Sequence, residues 1–215
     1  MYNLIKALMW IAAVLGVVIG IARLVAIRWW RVPEDDPYLV ASFAPTLRGG
    51  DWVLLWRATP PAFGSLVICP DPDDANKVVI GRIAGEPGDK VEIEGERIKI
   101  NGVNVYSEAA CNDAKFSLDD PVTGEEVEQR CDIESMGGVA HERGTLSGLN
   151  KPGALLSTRE VDDGQVFLVS DNRAYPYDSR NYGAIDRAAC KESIFFRLIG
   201  KSGYFDVKSR FTYIR

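Results

Sequence analysis

The chain has 215 residues, of which 47% are hydrophobic and 26% charged, with a formal net charge of −5. This composition excludes a disordered chain and allows a sizeable apolar core. The negative charge argues against nucleic acid as a partner, because proteins that bind nucleic acid usually carry a basic face. The four cysteines stand far apart and His141 is the only histidine, so no zinc-ligand spacing is present and we expect no metal or other cofactor.

The amino-terminal segment is strongly apolar. From Ala7 to Ile27 only Arg23 is charged, and about 21 residues make about 31 Å of helix, enough to cross a bilayer. Trp29 and Trp30 follow at the place typical of an interfacial aromatic belt. We therefore predict one uncleaved transmembrane helix within a membrane anchor over residues 1–31. A cleaved secretory signal is the alternative.

The basic residues near this segment favour a cytoplasmic location for the rest of the chain. Lys6 precedes the apolar stretch, whereas Arg28 and Arg31 follow it. Basic residues tend to stay in the cytoplasm, so the charge count alone would place the following domain inside the cell.

The remaining sequence predicts a mainly β domain. Residues 32–37 form a polar, proline-bounded linker, and residues 38–215 contain short Val- and Ile-rich runs separated by Gly, Pro and Asp. The pair Asn101-Gly102 predicts a hairpin with a type I′ turn, in which both central residues have positive φ. Residues from about 107 to 160 are polar and irregular, and we expect them to form an insertion without a core of its own.

The cysteines give an indication of the compartment. A cross-link between Cys111 and Cys131 would stabilise the insertion, and an extracytoplasmic location would permit it. Cys69 and Cys190 lie in apolar surroundings and are predicted to be buried thiols. Because four cysteines allow several pairings, the sequence leaves the connectivity open.

Four separated blocks of sequence resemble, in order, the type I signal peptidase family of S26-type serine proteases. The blocks are Ser42–Asp51, Ile83–Val91, Gly137–Glu142 and Val166–Gly183. The resemblance extends from about Tyr38 to Ile199, and the amino-terminal anchor matches as well. It implies an antiparallel β-sheet catalytic domain on the extracytoplasmic side of a bacterial plasma membrane, which cuts the signal peptides of preproteins. We follow the resemblance on orientation, because charge bias is only a tendency.

The resemblance also places the catalytic residues. Ser42, which taken alone is an ordinary loop serine, falls on the nucleophile, and the family activates this serine with a neutral lysine. That lysine should immediately precede Arg82, where this chain has Gly81. The serine that hydrogen-bonds the lysine corresponds to Pro176, which has no hydroxyl. Loss of the base together with its partner points to one abandoned mechanism.

Asp178 is the substitute base that the sequence offers, although an ion pair with Arg180 would lower its pKa and weaken it. Lys77 stands about 13 Å along an extended strand from position 81 and is excluded by that distance. We also expect Asp171 to pair with Arg82. The resemblance assigns supporting roles to Arg82, Asp171, Arg173 and Arg180.

Five residues match the positions that bind the substrate in the family, where small side chains of an extended signal peptide enter shallow apolar pockets. These are Tyr38, Leu39, Phe43, Leu47 and Ile80. The alternative for these residues is an ordinary place in the core or at its rim.

The sequence leaves three functions open. The first is a membrane-bound signal peptidase that acts through Ser42 with an unusual base. The second is a catalytically inactive homologue that binds signal-peptide-like segments or a membrane partner. The third is a structural subunit of a membrane complex.

Overall fold

The computed structural model describes residues 2–146 and 157–214. Within these residues the helices are α1 (Tyr2–Val25), α2 (Pro37–Ser42) and α3 (Ser179–Tyr182), with a 3₁₀ turn at Arg187–Ala189. The strands are β1 (Ile27–Arg31), β2 (Trp52–Trp56), β3 (Leu66–Pro70), β4 (Val78–Gly85), β5 (Lys90–Glu94), β6 (Arg97–Ile100), β7 (Val103–Asn104), β8 (Ser107–Asp119), β9 (Glu126–Met136), β10 (Val139–Thr145), β11 (Ser157–Glu160), β12 (Gln165–Val169), β13 (Ile185–Asp186), β14 (Glu192–Ile199) and β15 (Thr212–Tyr213).

The strands form three sheets. The largest has the order β1-β2-β14-β3-β4-β12-β13, and β15 also pairs with β14. The smaller sheets have the orders β10-β9-β8 and β11-β5-β6-β7. Each pairing between these strands is antiparallel, which confirms the predicted fold class.

The main sheet separates two apolar clusters, because alternate residues of a strand point to opposite faces. Leu66 and Ile68 of β3 belong to one cluster, whereas Val67 and Cys69 belong to the other. Strand β4 is buried along almost its whole length, and its sequence is therefore mostly apolar instead of alternating between apolar and polar residues. Helix α2 packs on the first cluster.

Helix α1 ends earlier than the predicted anchor. Its 20-residue segment Leu4–Arg23 is long and apolar enough to cross a membrane, with a mean hydropathy of 2.4 in an 18-residue window. The residues that follow form β1, which pairs with β2 along its full length, and Trp30 packs against an apolar cluster. The tryptophans therefore stand in a strand, where aromatic residues are favoured, and not at the end of the helix.

The segment predicted to be a linker is also ordered. Val32 is buried, and its N–H donates to the carbonyl of Asp51 at 2.9 Å. Asp36 closes the segment as the residue that caps α2.

The polar insertion is more regular than predicted. Between residues 107 and 145 it forms the sheet β10-β9-β8, whose strands β8 and β9 are 13 and 11 residues long. Strand β11 pairs with β5 and so belongs to another sheet. The polar composition follows from the many exposed positions of the insertion, and residues 147–156 lie outside the described part of the chain.

The predicted Asn101-Gly102 turn is confirmed. It joins β6 to β7, and both residues have positive φ, 52° for Asn101 and 79° for Gly102. These are the angles that a type I′ turn requires.

The four cysteines form two disulfides. The bridge Cys111–Cys131 links β8 to β9. The bridge Cys69–Cys190 joins β3, near its end, to a residue two positions before the neighbouring strand β14, so the prediction that these two are thiols is wrong. A separation of 121 residues hid their proximity in the sheet.

We expect the two bridges to contribute unequally to stability. Replacing both Cys69 and Cys190 with Ala should lower the free energy of unfolding by about 5 kcal/mol, against about 3 kcal/mol for the same change at Cys111 and Cys131, because the longer loop restricts the unfolded chain more. Denaturant unfolding followed by tryptophan fluorescence measures both values. Equal losses for the two double variants would contradict this account.

Candidate active site

Ser42 is the last residue of α2. Helix α2 begins at Pro37 because the carboxylate of the preceding Asp36 accepts the N–H groups of Tyr38 at 3.0 Å and Leu39 at 3.1 Å. Ser42 is fully buried, and its Oγ donates to the carbonyl of Leu39 at 2.8 Å. Its own carbonyl accepts the N–H of Asn172 at 2.9 Å. The serine expected in a loop is therefore helical, and its hydroxyl bonds to the preceding turn as buried serines in helices do.

Position 81, which the sequence matches to the family's lysine, leaves little room for a side chain. Gly81 lies in β4, and a Cβ built on it would stand 3.2 Å from the Cβ of Leu168 and 3.2 Å from the carbonyl oxygen of Val169. Both neighbours belong to β12, the next strand of the sheet. The carbonyl is backbone and cannot rotate away, so a side chain at position 81 requires the two strands to separate slightly.

Asp178 is fully occupied by hydrogen bonds. It caps α3 and accepts the N–H of Ser170 at 2.6 Å, the N–H of Arg180 at 2.9 Å and the Arg180 Nη2 at 2.7 Å. Burial by itself would raise the pKa of Asp178, but the Arg180 guanidinium and these hydrogen bonds hold the pKa below its usual value. The predicted contact with Arg180 is confirmed, and it makes Asp178 a poor proton acceptor.

Four of the five residues matched to substrate binding are core residues in this structure. Leu39 is 3% exposed, and Phe43, Leu47 and Ile80 are fully buried. All four belong to one apolar cluster, so they present no open surface to a peptide. Tyr38 alone among the five is half exposed. In this structure these four residues therefore have the alternative role, that of ordinary core residues.

A buried ion pair joins β4 to the segment that follows β12. Arg82 donates to Asp171 through Nε at 2.6 Å and through Nη2 at 3.1 Å, as the sequence predicted. Thr46 Oγ1 donates to the same carboxylate at 2.5 Å. The two charges are at most 1% exposed, so each depends on the other for compensation.

Glu134 is a second buried carboxylate that sequence analysis missed. It contacts Arg173, accepts from Arg143 Nη1 at 3.1 Å, and lies 3.2 Å from His141 Nε2. Burial would raise its pKa, but the charge of Arg173, with His141 and Arg143, lowers the pKa to about 2. Only the cross-strand pairing of Glu134 with His141 in the β9–β10 hairpin reveals this contact.

A comparison with protein families shows which family the sequence matches. A family model described as signal peptidase, peptidase S26, matches residues 4–199, most of the chain. The chain belongs to the signal peptidase S26 family. The resemblance predicted from the four sequence blocks is thereby confirmed, and the apolar amino-terminal helix fits a membrane-anchored member of that family.

Two curated relatives are similar to this S26 family member. It is 29% identical over 171 residues to signal peptidase I of Bacillus licheniformis, covering 75% of the chain and 76% of that relative. It is 28% identical over 120 residues to signal peptidase I V of Bacillus subtilis (strain 168), covering 56% of each, so the chain spans about half the length of that relative. Among solved structures, a signal peptidase I from Enterococcus faecalis V583 is 21% identical with a TM-score of 0.37, covering 63% of the chain and 97% of that structure.

In this S26 family member the buried ion pairs Arg82–Asp171 and Arg173–Glu134 are formed. Among the described residues, however, the Ser42 hydroxyl has no hydrogen bond to a side chain that could act as a base. The Ser42 hydroxyl contacts a carbonyl, Gly81 has no side chain, and Asp178 is held by Arg180. The geometry therefore supports the fold and a serine position, but not activation of that serine by a lysine.

Replacing Glu134 with Gln should destabilise the protein by about 3–5 kcal/mol at pH 7, because Arg173 is left buried without its carboxylate. The folded pKa of Glu134 lies below its unfolded value of about 4.3, so its contribution is complete above that pH and is lost as the pH falls towards 2. The difference between wild type and variant should therefore shrink between about pH 4.5 and pH 2. Unfolding measured across this range tests both statements.

Glu128→Gln is the matched control. Glu128 lies in the same strand and pairs with Lys115, but both side chains are more than 60% exposed. Its loss should cost less than about 1 kcal/mol. A similar cost for the two variants would contradict the role given to the buried cluster.

Replacing Gly81 with Ala should lower the free energy of unfolding by roughly 1–3 kcal/mol, because the added methyl presses on Leu168 and on the Val169 carbonyl. Denaturant unfolding measures the change. An unchanged or raised stability would show that a side chain fits at this position.

Proposed function

We propose that this protein works at a bacterial plasma membrane on signal-peptide-like segments of exported proteins, and that it binds them without serine–lysine hydrolysis. The observation that carries the second part is Gly81, where the lysine is missing and β12 presses on the position. The first part is supported by membership of the signal peptidase S26 family and by the apolar helix Leu4–Arg23.

The extracytoplasmic side of the membrane is favoured by the disulfides. Cys69–Cys190 and Cys111–Cys131 account for all four cysteines of the chain. Disulfides persist mainly in oxidising compartments outside the cytoplasm, and this supports the orientation implied by the family over that implied by the charge count.

Without a base that accepts its proton, the Ser42 hydroxyl attacks a peptide bond only slowly. A serine hydroxyl is a weak nucleophile until a base takes its proton, and a positioned base contributes typically a factor of 10²–10⁴ to the rate. The Ser42 hydroxyl donates a hydrogen bond to the Leu39 carbonyl, which is not a base at neutral pH. Pro176 likewise supplies no hydroxyl to orient a lysine.

Binding of an extended peptide at the matched positions requires α2 to move. Leu39 and Phe43 are carried by α2 or its end, and both are packed into the apolar cluster. The helix has only six residues and is held by the Asp36 cap and by the hydrogen bond between Asn172 and Ser42. A peptide that displaces α2 must therefore fill the places of Leu39 and Phe43 in the cluster with apolar side chains of its own.

Cleavage of a preprotein tests the catalytic part. Full-length protein in detergent is incubated with a preprotein that has an Ala-x-Ala cleavage site, alongside Ser42→Ala, Ser117→Ala and Gly81→Lys variants. We expect wild type to cleave no faster than Ser42→Ala, because among the described residues the Ser42 hydroxyl has a backbone carbonyl and no base as its hydrogen-bond partner. Ser117 is exposed in the insertion and provides the matched serine control.

Cleavage by wild type and Ser117→Ala, but not by Ser42→Ala, would show that the protein is an active endopeptidase with another base. Cleavage by Gly81→Lys alone would show a site intact apart from its lysine. Either result separates the proposed inactive state from its alternative.

Recognition is tested separately with a photoreactive signal peptide. We expect wild type and Ser42→Ala to cross-link it equally, with adducts near α2. A mature-sequence peptide of the same length serves as the control. Equal labelling by both peptides would contradict recognition, and co-purification of a stoichiometric membrane protein would then favour a structural subunit.

A further inference from the structure

A cleft of about 560 Å³ lies beside the end of α1. Its walls come mainly from two segments, residues 57–61 after β2 and residues 186–191 around the 3₁₀ turn, with Gly164 between them. A volume of this size holds a ligand as large as a small molecule or a lipid headgroup. None of the matched catalytic or substrate-binding positions lines it.

The cleft is joined directly to the carboxyl end of the apolar helix. Arg57, one of its lining residues, donates its backbone N–H to the carbonyl of Ala26 at 3.0 Å and its Nη2 to the carbonyl of Arg23 at 2.8 Å. If Leu4–Arg23 crosses a bilayer, its end at Arg23 marks the boundary between hydrocarbon and water. The cleft therefore lies at the level of the lipid headgroups.

An aromatic side chain marks the same boundary. Trp29 is half exposed, and the Arg23 guanidinium lies 4.5 Å from the centre of its ring. Tryptophan and arginine are the side chains that commonly sit at headgroup depth.

The charges that line the cleft are mostly positive. Arg57, Arg187 and Lys191 line it together with one carboxylate, Asp186. Asp186 accepts the N–H of Ala188 at 2.8 Å as the cap of the 3₁₀ turn, so it is already engaged.

The cations differ in their partners. Arg187 pairs with Glu86 at 2.7 Å, whereas Lys191 is exposed and has no ion pair within the described ranges 2–146 and 157–214. The adjacent Glu192 forms an ion pair with Arg28, at 2.8 Å, and not with Lys191. The chain as a whole has a net charge of −5, but this cleft is basic. The Lys191 ammonium group can therefore bind an anion from outside the protein.

We propose that this cleft binds the phosphate headgroup of an anionic phospholipid. Lys191 binds the phosphate, and Arg57 and Arg187 add positive charge around it. The apolar surfaces of Pro60 and Pro61 face the glycerol and the first methylene groups. A lipid is favoured over free phosphate because the cleft combines this apolar wall with a position at the bilayer surface. The proposal shares with the proposed function the premise that α1 crosses the membrane, but it does not depend on whether signal peptides are bound or cleaved.

Native mass spectrometry of the full-length protein tests the proposal. The protein in neutral detergent is titrated with phosphatidylglycerol, with phosphatidylcholine and with free glycerol phosphate. One basic residue near a membrane surface contributes a factor of roughly five in affinity, so we expect phosphatidylglycerol to bind at least fivefold more tightly than phosphatidylcholine. Lys191→Gln should weaken phosphatidylglycerol binding about fivefold and leave phosphatidylcholine unchanged.

Lys115→Gln is the matched control, because Lys115 is an exposed lysine of the insertion and its loss removes the same charge. A photoreactive phosphatidylglycerol should label residues 57–61 and 186–191. Equal affinity for both lipids, or equal effects of Lys191→Gln and Lys115→Gln, would overturn the proposal. Glycerol phosphate binding as tightly as the lipid would assign a phosphate site instead, and labelling of the cleft only by a signal peptide would assign it to peptide.

Discussion

The buried carboxylates Asp171 and Glu134 impose the constraint on which the centre of the molecule depends. A charge removed from water is costly unless an opposite charge and hydrogen bonds replace the water. Asp171 meets this condition through Arg82 and Thr46, and Glu134 meets it through Arg173 and through Arg143 of the insertion. The ion pairs therefore connect elements that are far apart in sequence.

This network fixes how the insertion sits on the main sheet. Gly144 donates its N–H to the carbonyl of Asp171 at 3.0 Å, and Arg173 donates its N–H to the carbonyl of Gly144 at 2.9 Å. These backbone bonds place β10 beside the segment after β12, and Glu134 of β9 reaches Arg173 across the same junction. A change of register here would leave a charge buried without its partner, which costs far more than a lost surface contact.

The buried network holds Ser42 in place but offers no group that accepts its proton. Asn172, next to Asp171, holds the Ser42 carbonyl, so the network positions the serine as well as the sheet. Nothing in that network accepts the serine proton, since Asp171 faces Arg82 and Asp178 faces Arg180. The Arg180 guanidinium and hydrogen bonds hold the pKa of Asp178 below its usual value although burial alone would raise it, so this carboxylate is a poor base. The scaffold around Ser42 is thus complete with glycine at position 81.

The sequence by itself determined the features that depend on neighbours along the chain or on strong pairing rules. The Asn101-Gly102 turn followed from the φ angles it needs, the apolar helix from its length, and the family from blocks in fixed order. The partners of Asp171 and Asp178 were predicted because a carboxylate in these blocks needs an arginine beside it.

Only the tertiary structure decided which distant residues meet. Cys69 and Cys190 are joined because β3 and β14 are neighbours in the sheet, and Glu134 of β9 meets Arg173 from the segment after β12. The same packing closes the apolar cluster over Leu39 and Phe43 and presses β12 against Gly81. Burial and contact across a sheet depend on strand order, which local sequence patterns do not contain.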